Sequence, residues 1–168
     1  MAKNVIWAVF FSLLAAMLQS TLLSRLAIYN AVPDLVLLII VFMAYNNGTM
    51  TGQLTGFFSG LMLDFLSAAP LGLNMLVRTL VGALAGLMKG AFFLDAILLP
   101  MLLCAGATIL KALLFFVLHL LFSSGVPTYT VYAPLLWVEL ILNTVLAPFI
   151  FALLKLFKSL LVYERGNT

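Results

Sequence analysis

The chain has 168 residues, of which 65% are hydrophobic and 8% are charged, and its formal net charge at pH 7 is +3. Soluble domains are roughly half apolar and a quarter charged, so this composition excludes an ordinary soluble protein and predicts an all-α integral membrane protein. Because a membrane span needs about 20 apolar residues, the length allows several spans and leaves little sequence for a soluble domain. The small positive charge does not call for nucleic acid as a partner, because basic residues in cytoplasmic loops account for it.

Polar and proline-containing breaks divide the chain into six apolar segments, which we interpret as about six transmembrane helices in one membrane-embedded domain, 1–168. The predicted spans lie near 5–24, 33–46, 49–67, 71–88, 96–122 and 132–158. The first resembles a secretory signal, but no Ala-x-Ala-like site ends it, and we interpret it as an uncleaved span. The second is short, which suggests a tilted or partly embedded helix. Pro100 and Pro148 predict kinks in the fifth and sixth.

Basic residues in the loops and near the ends of the spans predict the orientation of the chain, because short loops rich in lysine and arginine stay on the cytoplasmic side. If the amino terminus is inside, Arg25 is the only basic loop residue outside. The basic residues on the cytoplasmic side are then Lys3, Lys89, Lys155, Lys158 and Arg165. We therefore predict that both termini are cytoplasmic.

The third and fourth spans carry small and polar residues at every fourth position. The residues of these two ladders are Gly52, Gly56, Gly60 and Asp64 in the third span, and Asn74, Arg78, Gly82 and Gly86 in the fourth. Each ladder follows one helix face, and small residues at this spacing let membrane helices approach closely. The ladders predict a tight antiparallel helix hairpin, with a homodimer interface as the alternative.

Folding the chain at the turn 68–72 predicts the register of this hairpin. The predicted pairs are Gly52 with Gly86, Gly56 with Gly82, Gly60 with Arg78, and Asp64 with Asn74. Helical side chains lean toward their own amino terminus, so Asp64 and Arg78 lean toward each other. An unpaired charge at bilayer depth costs about 3 kcal/mol or more, and we therefore predict that these two residues form an ion pair.

Polar residues in other spans suggest a larger site in the outer half of the bundle. Its predicted members are Asp64, Asn74, Arg78, Lys111, His119, Glu139 and Asn143. Lys111 can reach Glu139 if the fifth and sixth helices pack together, and Glu139 and Asn143 share a helix face. Intramembrane ionisable residues mark a functional site by default. The pattern leaves two interpretations open, which are structural pairing and contact with a ligand or partner.

The motifs of common enzyme classes are missing from the sequence. It contains no Walker motif, dinucleotide-binding glycines, zinc-ligand spacing or nucleophile elbow. His119 is the only histidine, and we interpret it as a hydrogen-bonded interface residue rather than a ligand or base. Cys104 is the only cysteine, which fits a small core hydrophobe. We therefore predict no catalytic residue, cofactor or metal.

The stretch from about residue 32 to residue 90 resembles the signature half of the MreD family, the rod shape-determining membrane proteins of bacteria. The matching features are Pro33-Asp34 at the start of the second span, the glycine ladder that ends in Asp64, the Pro70-Leu71-Gly72 turn, and the segment from Gly82 to Gly86. The chain length, the plan of six spans and the short basic carboxyl tail are also similar to that family.

The resemblance implies a non-enzymatic scaffold in the bacterial inner membrane that controls cell shape. Such a protein belongs to the elongasome, which inserts peptidoglycan along the side wall. The implied direct partner is MreC, bound through its transmembrane helix, with MreB, RodA and the elongation-specific penicillin-binding transpeptidase as associated proteins and membrane lipid as the surroundings. The family is also similar in fold to the substrate-binding subunit of energy-coupling-factor transporters. This similarity supplies an alternative function, in which the outer polar cluster binds a vitamin.

Overall fold

The structure is a computed structural model that describes residues 2–21, 31–67, 70–91, 95, 97–122 and 134–162. Within these ranges the chain forms seven α-helices, which confirms the predicted fold class. They are α1 (Ala2–Thr21), α2 (Leu35–Asn47), α3 (Thr49–Leu66), α4 (Leu73–Leu87), α5 (Leu98–Phe122), α6 (Pro134–Leu156) and α7 (Lys158–Leu161).

The helices differ in whether they can cross a membrane alone. Of the described helices, α1, α5 and α6 are long and apolar enough to do so, whereas α2 and α4 are shorter apolar helices. The total of six spans therefore remains a prediction. Pro148 lies inside α6, as expected, but Pro100 lies in the first turn of α5. Its missing N–H would have no helical acceptor at that position, so it gives no reason for a kink there.

The short helix α2 lies at the centre of the bundle. Every residue from Val36 to Ala44 is buried, and α2 packs against α1, α3, α4, α5 and α6. A helix that is apolar on all faces is one enclosed by other elements, which explains why α2 shows no amphipathic pattern. Its 13 residues span only about 20 Å. Asp34, the residue before α2, is buried, so the start of this helix lies inside the protein and can meet side chains from the surrounding helices.

The closest helix contact is between α3 and α4. A Cβ atom added to any glycine of the two ladders would lie less than 3.0 Å from the backbone of the other helix of the hairpin. Gly86 faces the backbone of Thr49, at the start of α3. Only residues without a side chain allow this approach, so the ladders hold α3 and α4 together as an intramolecular hairpin.

The predicted register of the hairpin was wrong by one helical turn. Gly52 lies against the backbone of Gly82 rather than Gly86, and the next glycines of α3 are shifted in the same sense. The observed neighbours of Gly56 and Gly60 are the backbones of Arg78 and Asn74. The reason is that α3 extends about one turn beyond the start of α4. Asp64 therefore lies over the amino-terminal end of α4.

Candidate functional site

The site is organised around Asp34, which precedes α2 and caps it. The Asp34 carboxylate accepts a hydrogen bond from the backbone N–H of Leu37 at 3.0 Å, as expected of an N-cap residue. The backbone N–H of Asp34 donates to Oδ1 of Asn143 on α6 at 2.7 Å. Asp34 is only 2% exposed. The start of α2 is therefore fixed inside the bundle and bonded to α6.

Two cations from other helices converge on the Asp34 carboxylate. Nη2 of Arg78 on α4 donates to Oδ1 at 3.1 Å and to Oδ2 at 2.8 Å. Nζ of Lys111 on α5 donates to Oδ2 at 2.8 Å and also to Oε1 of Glu139 on α6. All four side chains are buried. We call Asp34, Arg78, Lys111 and Glu139 the charge cluster. Its two carboxylates and two cations give a formal charge of zero.

Uncharged groups extend the charge cluster along α5 and α6. Nδ2 of Asn143 donates to Oγ1 of Thr108 at 3.0 Å, and the Thr108 hydroxyl donates to the backbone oxygen of Cys104 at 2.8 Å. Asn143 and Thr108 are both fully buried. Hydrogen bonds and ion pairs thus join α2, α4, α5 and α6, which meet at the start of α2.

The predicted ion pair between Asp64 and Arg78 was wrong. Asp64 instead accepts four hydrogen bonds at the amino-terminal end of α4. The donors are the backbone N–H groups of Gly72 (3.0 Å), Asn74 (2.9 Å) and Met75 (3.0 Å), and Nδ2 of Asn74 (3.0 Å). These N–H groups have no acceptor within their own helix, and the helix dipole favours a negative charge there. The register places Asp64 over this helix end, where its oxygens are already used. Arg78 pairs with Asp34 instead.

The remaining predicted residues lie in three places. Asn74 belongs with Asp64 at the hairpin turn. Lys111 and Glu139 are in contact where α5 and α6 pack, and Asn143 lies one turn from Glu139 on the buried face of α6. His119 is half-buried in the last turn of α5, two turns beyond Lys111. The residues of the predicted single polar site therefore belong to a central charge cluster and a separate helix cap, and His119 lies apart from both.

Sequence reasoning did not place Asp34 or Thr108 in the site. Asp34 entered only as part of the Pro-Asp pair of the family resemblance. A stronger signal was present, because an aspartate directly before an apolar helix predicts an N-cap, and a carboxylate at that depth also requires a cation. Thr108 gave no signal, since a threonine in an apolar helix commonly bonds to its own backbone.

The charge cluster has the properties of a structural lock. Its members are removed from solvent and bond to one another, and the formal charges cancel. Among the described residues, no group of three or more histidine, cysteine, aspartate or glutamate side chains could hold a metal ion. The arrangement can fix four helices relative to one another, and it offers no exposed nucleophile or base.

An apolar recess lies beside the charge cluster, between α5 and α6. It has a volume of about 400 Å³. It is lined by Ile109, Ala112, Leu113, Phe116, Leu136, Trp137 and Leu140. We call it the α5–α6 groove. Ala112 follows Lys111 and Leu140 follows Glu139 in the sequence, so the Lys111–Glu139 pair holds the two walls of the groove together.

Comparison with known proteins gives one family for this chain. The family model of the rod shape-determining protein MreD matches residues 1–157. No curated protein matches the chain, and no solved structure matches it. The match covers both ladders, the charge cluster and the α5–α6 groove.

Proposed function

Because the chain belongs to the MreD family of rod shape-determining proteins, we propose that it is a scaffold of the elongasome that binds MreC. Family membership carries a role in determining rod shape, and this is a family of structural proteins rather than of known enzymes. The proposal adds that the protein supports peptidoglycan synthesis along the side wall by holding its partners in place.

One observation carries the scaffold proposal, which is the internal pairing of the charge cluster. Asp34, Arg78, Lys111 and Glu139 bond to one another inside the bundle, so the surface that these helices offer within the membrane is apolar. Membrane helices associate by close packing and a few hydrogen bonds. An apolar helix of a partner is therefore the ligand that such a surface favours.

We propose that the transmembrane helix of MreC lies in the α5–α6 groove. At about 1.5 Å per residue, α5 with 25 residues and α6 with 23 both exceed the roughly 30 Å of the hydrocarbon core. A single-pass helix can follow them along its whole length. Leu113 and Trp137 are each about half exposed, at 55% and 51%, so a partner helix would cover large apolar side chains.

Site-specific photocrosslinking in the native bacterium tests this placement. A photoreactive phenylalanine derivative at Leu113, Phe116 or Trp137 should crosslink to MreC. Ile6 and Leu87, which are exposed by 67% and 69% and lie on other helices, are the matched controls. Crosslinks to MreC from the control positions alone would refute the groove, and their absence at all five would refute direct binding through these helices.

The alternative function, a substrate-binding subunit of a vitamin transporter, receives less support. Recognition of a charged vitamin needs side chains that are free to bond to it. The two carboxylates and Lys111 of the cluster instead bond within it, and Arg78 is buried against Asp34. The cluster therefore favours a structural role over a substrate site.

We propose that the protein lies in the inner membrane with both termini in the cytoplasm. MreB, RodA and the elongation-specific transpeptidase are the further partners that this role requires. The support for the orientation is the set of basic residues in the loops and near the ends of the predicted spans. Arg25 alone is on the outer side, against four lysines and Arg165 on the cytoplasmic side. A reporter that is active only in the cytoplasm should function at the carboxyl terminus, and activity of a periplasmic reporter there would refute the orientation.

A further inference from the structure

Arg78 has more hydrogen-bond donors than the described part of the chain uses. A guanidinium carries five N–H groups. Nη2 donates to the two oxygens of Asp34, whereas Nε and Nη1, which carry the other three N–H groups, have no acceptor in the described part of the chain. Arg78 is only 6% exposed. This buried cation therefore has three donors without an acceptor among the described residues.

Asp34 and Asn143, the polar groups bonded in and beside the charge cluster, do not share this property, whereas the buried hydroxyls of Thr55 and Ser59 on α3 also have no partner among the described residues. Both carboxylate oxygens of Asp34 accept hydrogen bonds, and its backbone N–H donates to Asn143. The amide of Asn143 uses its oxygen for Asp34 and its nitrogen for Thr108. Bonding inside the cluster is thus nearly complete, and the open positions are on Arg78. An N–H group without an acceptor is strongly disfavoured in a membrane interior, so Arg78 requires an acceptor.

The charge balance of the cluster decides the class of acceptor. Asp34 and Glu139 carry two negative charges, and Arg78 and Lys111 carry two positive charges, which sum to zero. A bound anion would leave one uncompensated negative charge in a medium of low dielectric constant, where this is unfavourable. An uncharged oxygen satisfies the N–H groups and keeps the balance.

We propose that Arg78 binds internal water through Nε and Nη1. Buried water in proteins accepts and donates hydrogen bonds where polar groups have no protein partner, and it is part of the fold. Water at this position completes the bonding of the charge cluster, and it stabilises α4 against α2 together with the Asp34 pair. This inference is independent of MreC and of the groove.

Nuclear magnetic resonance of the full chain in lipid nanodiscs, with uniform ¹⁵N labelling, tests the proposal. The chain has three arginines, Arg25, Arg78 and Arg165. The double variant Arg25→Lys/Arg165→Lys therefore leaves one Nε–H signal, that of Arg78, and alters no residue of the cluster. We expect a nuclear Overhauser cross-peak between this Nε–H and water. The backbone N–H of Leu37, which is bonded to Asp34, is the internal control and should show no such cross-peak.

Two results would overturn the proposal. The first is an observed Arg78 Nε–H signal with no cross-peak to water, which means that no water is bound to the guanidinium. The second is a shift of this signal on titration with inorganic phosphate, which means that the site takes an anion. A water cross-peak together with a signal that phosphate leaves in place supports an uncharged acceptor.

Discussion

The substitution Asp34→Asn removes the centre of the charge cluster while it preserves the rest of the site. Asparagine caps a helix about as well as aspartate, so the bond from Leu37 is retained, and the two side chains have nearly the same volume. The change leaves one anion, Glu139, against two cations, Arg78 and Lys111, and the cluster then carries a net charge of +1. Lys111 keeps its bond to Glu139, so the uncompensated cation is Arg78.

We expect Asp34→Asn to lower the free energy of unfolding by about 3–5 kcal/mol, the range for removal of one partner from a buried ion pair. Arg78→Gln should lower the free energy of unfolding by a similar amount. It leaves the two carboxylates, Asp34 and Glu139, with Lys111 as their one cation. The double variant restores neutrality. Its loss should therefore be smaller than the sum of the two single losses by about 1–3 kcal/mol.

Unfolding by sodium dodecyl sulfate in mixed micelles, followed by the fluorescence of Trp7 and Trp137, measures these free energies. The matched control is the cycle of Asp64→Asn with Arg78→Gln, which share no hydrogen bond. Strict additivity of Asp34→Asn and Arg78→Gln would refute the charge cluster. Strong coupling between Asp64 and Arg78 in the control cycle would support the ion pair that the sequence predicted.

Three further predictions concern the hairpin, the helix cap and the groove. Gly56→Ala should lower the free energy of unfolding by about 1–3 kcal/mol, because its Cβ would meet the backbone of Arg78. The control position is Gly106, where nothing lies within 4 Å of an added Cβ. Gly106→Ala should therefore be neutral or stabilise by up to about 1 kcal/mol, and equal effects would contradict close packing of α3 and α4. Asp64→Ala should destabilise the detergent-solubilised protein by about 1–3 kcal/mol, because it leaves the first N–H groups of α4 without their acceptor. An unchanged unfolding midpoint would contradict a stabilising role of this cap. Glu139→Gln should weaken crosslinking to MreC from the groove, because it loosens the pair that holds α5 and α6, and unchanged crosslinking would separate the groove from the charge cluster.

Composition was sufficient to predict the helical membrane class, and the spacing of the glycines was sufficient to predict the close contact of α3 with α4. Glycines at every fourth position have one strong physical use in a membrane, which is the approach of two helix backbones. The register was not predictable in the same way. It depends on how far α3 continues past the start of α4, and the residues of the turn do not specify this length.

The partner of Arg78 depends on which helices surround α4, and periodicity within one helix carries no such information. The sequence places Asp64 closer to Arg78 than Asp34 along the chain, which favoured the wrong pair. The central position of α2 brings Asp34 to the interior, where Lys111 and Arg78 can both reach it. By contrast, the contact of Lys111 with Glu139 followed from their depth once α5 and α6 were assumed to pack together.

Purification of the tagged protein from its native bacterium in mild detergent, with mass spectrometry of the copurified proteins and small molecules, tests the scaffold role most directly. We expect MreC to be recovered in near-stoichiometric amounts, and the Glu139→Gln variant to recover less of it at equal yield. Recovery of paired ATPases with a coupling membrane subunit, or of a bound vitamin, in place of MreC would contradict the scaffold role and make the charge cluster a substrate site.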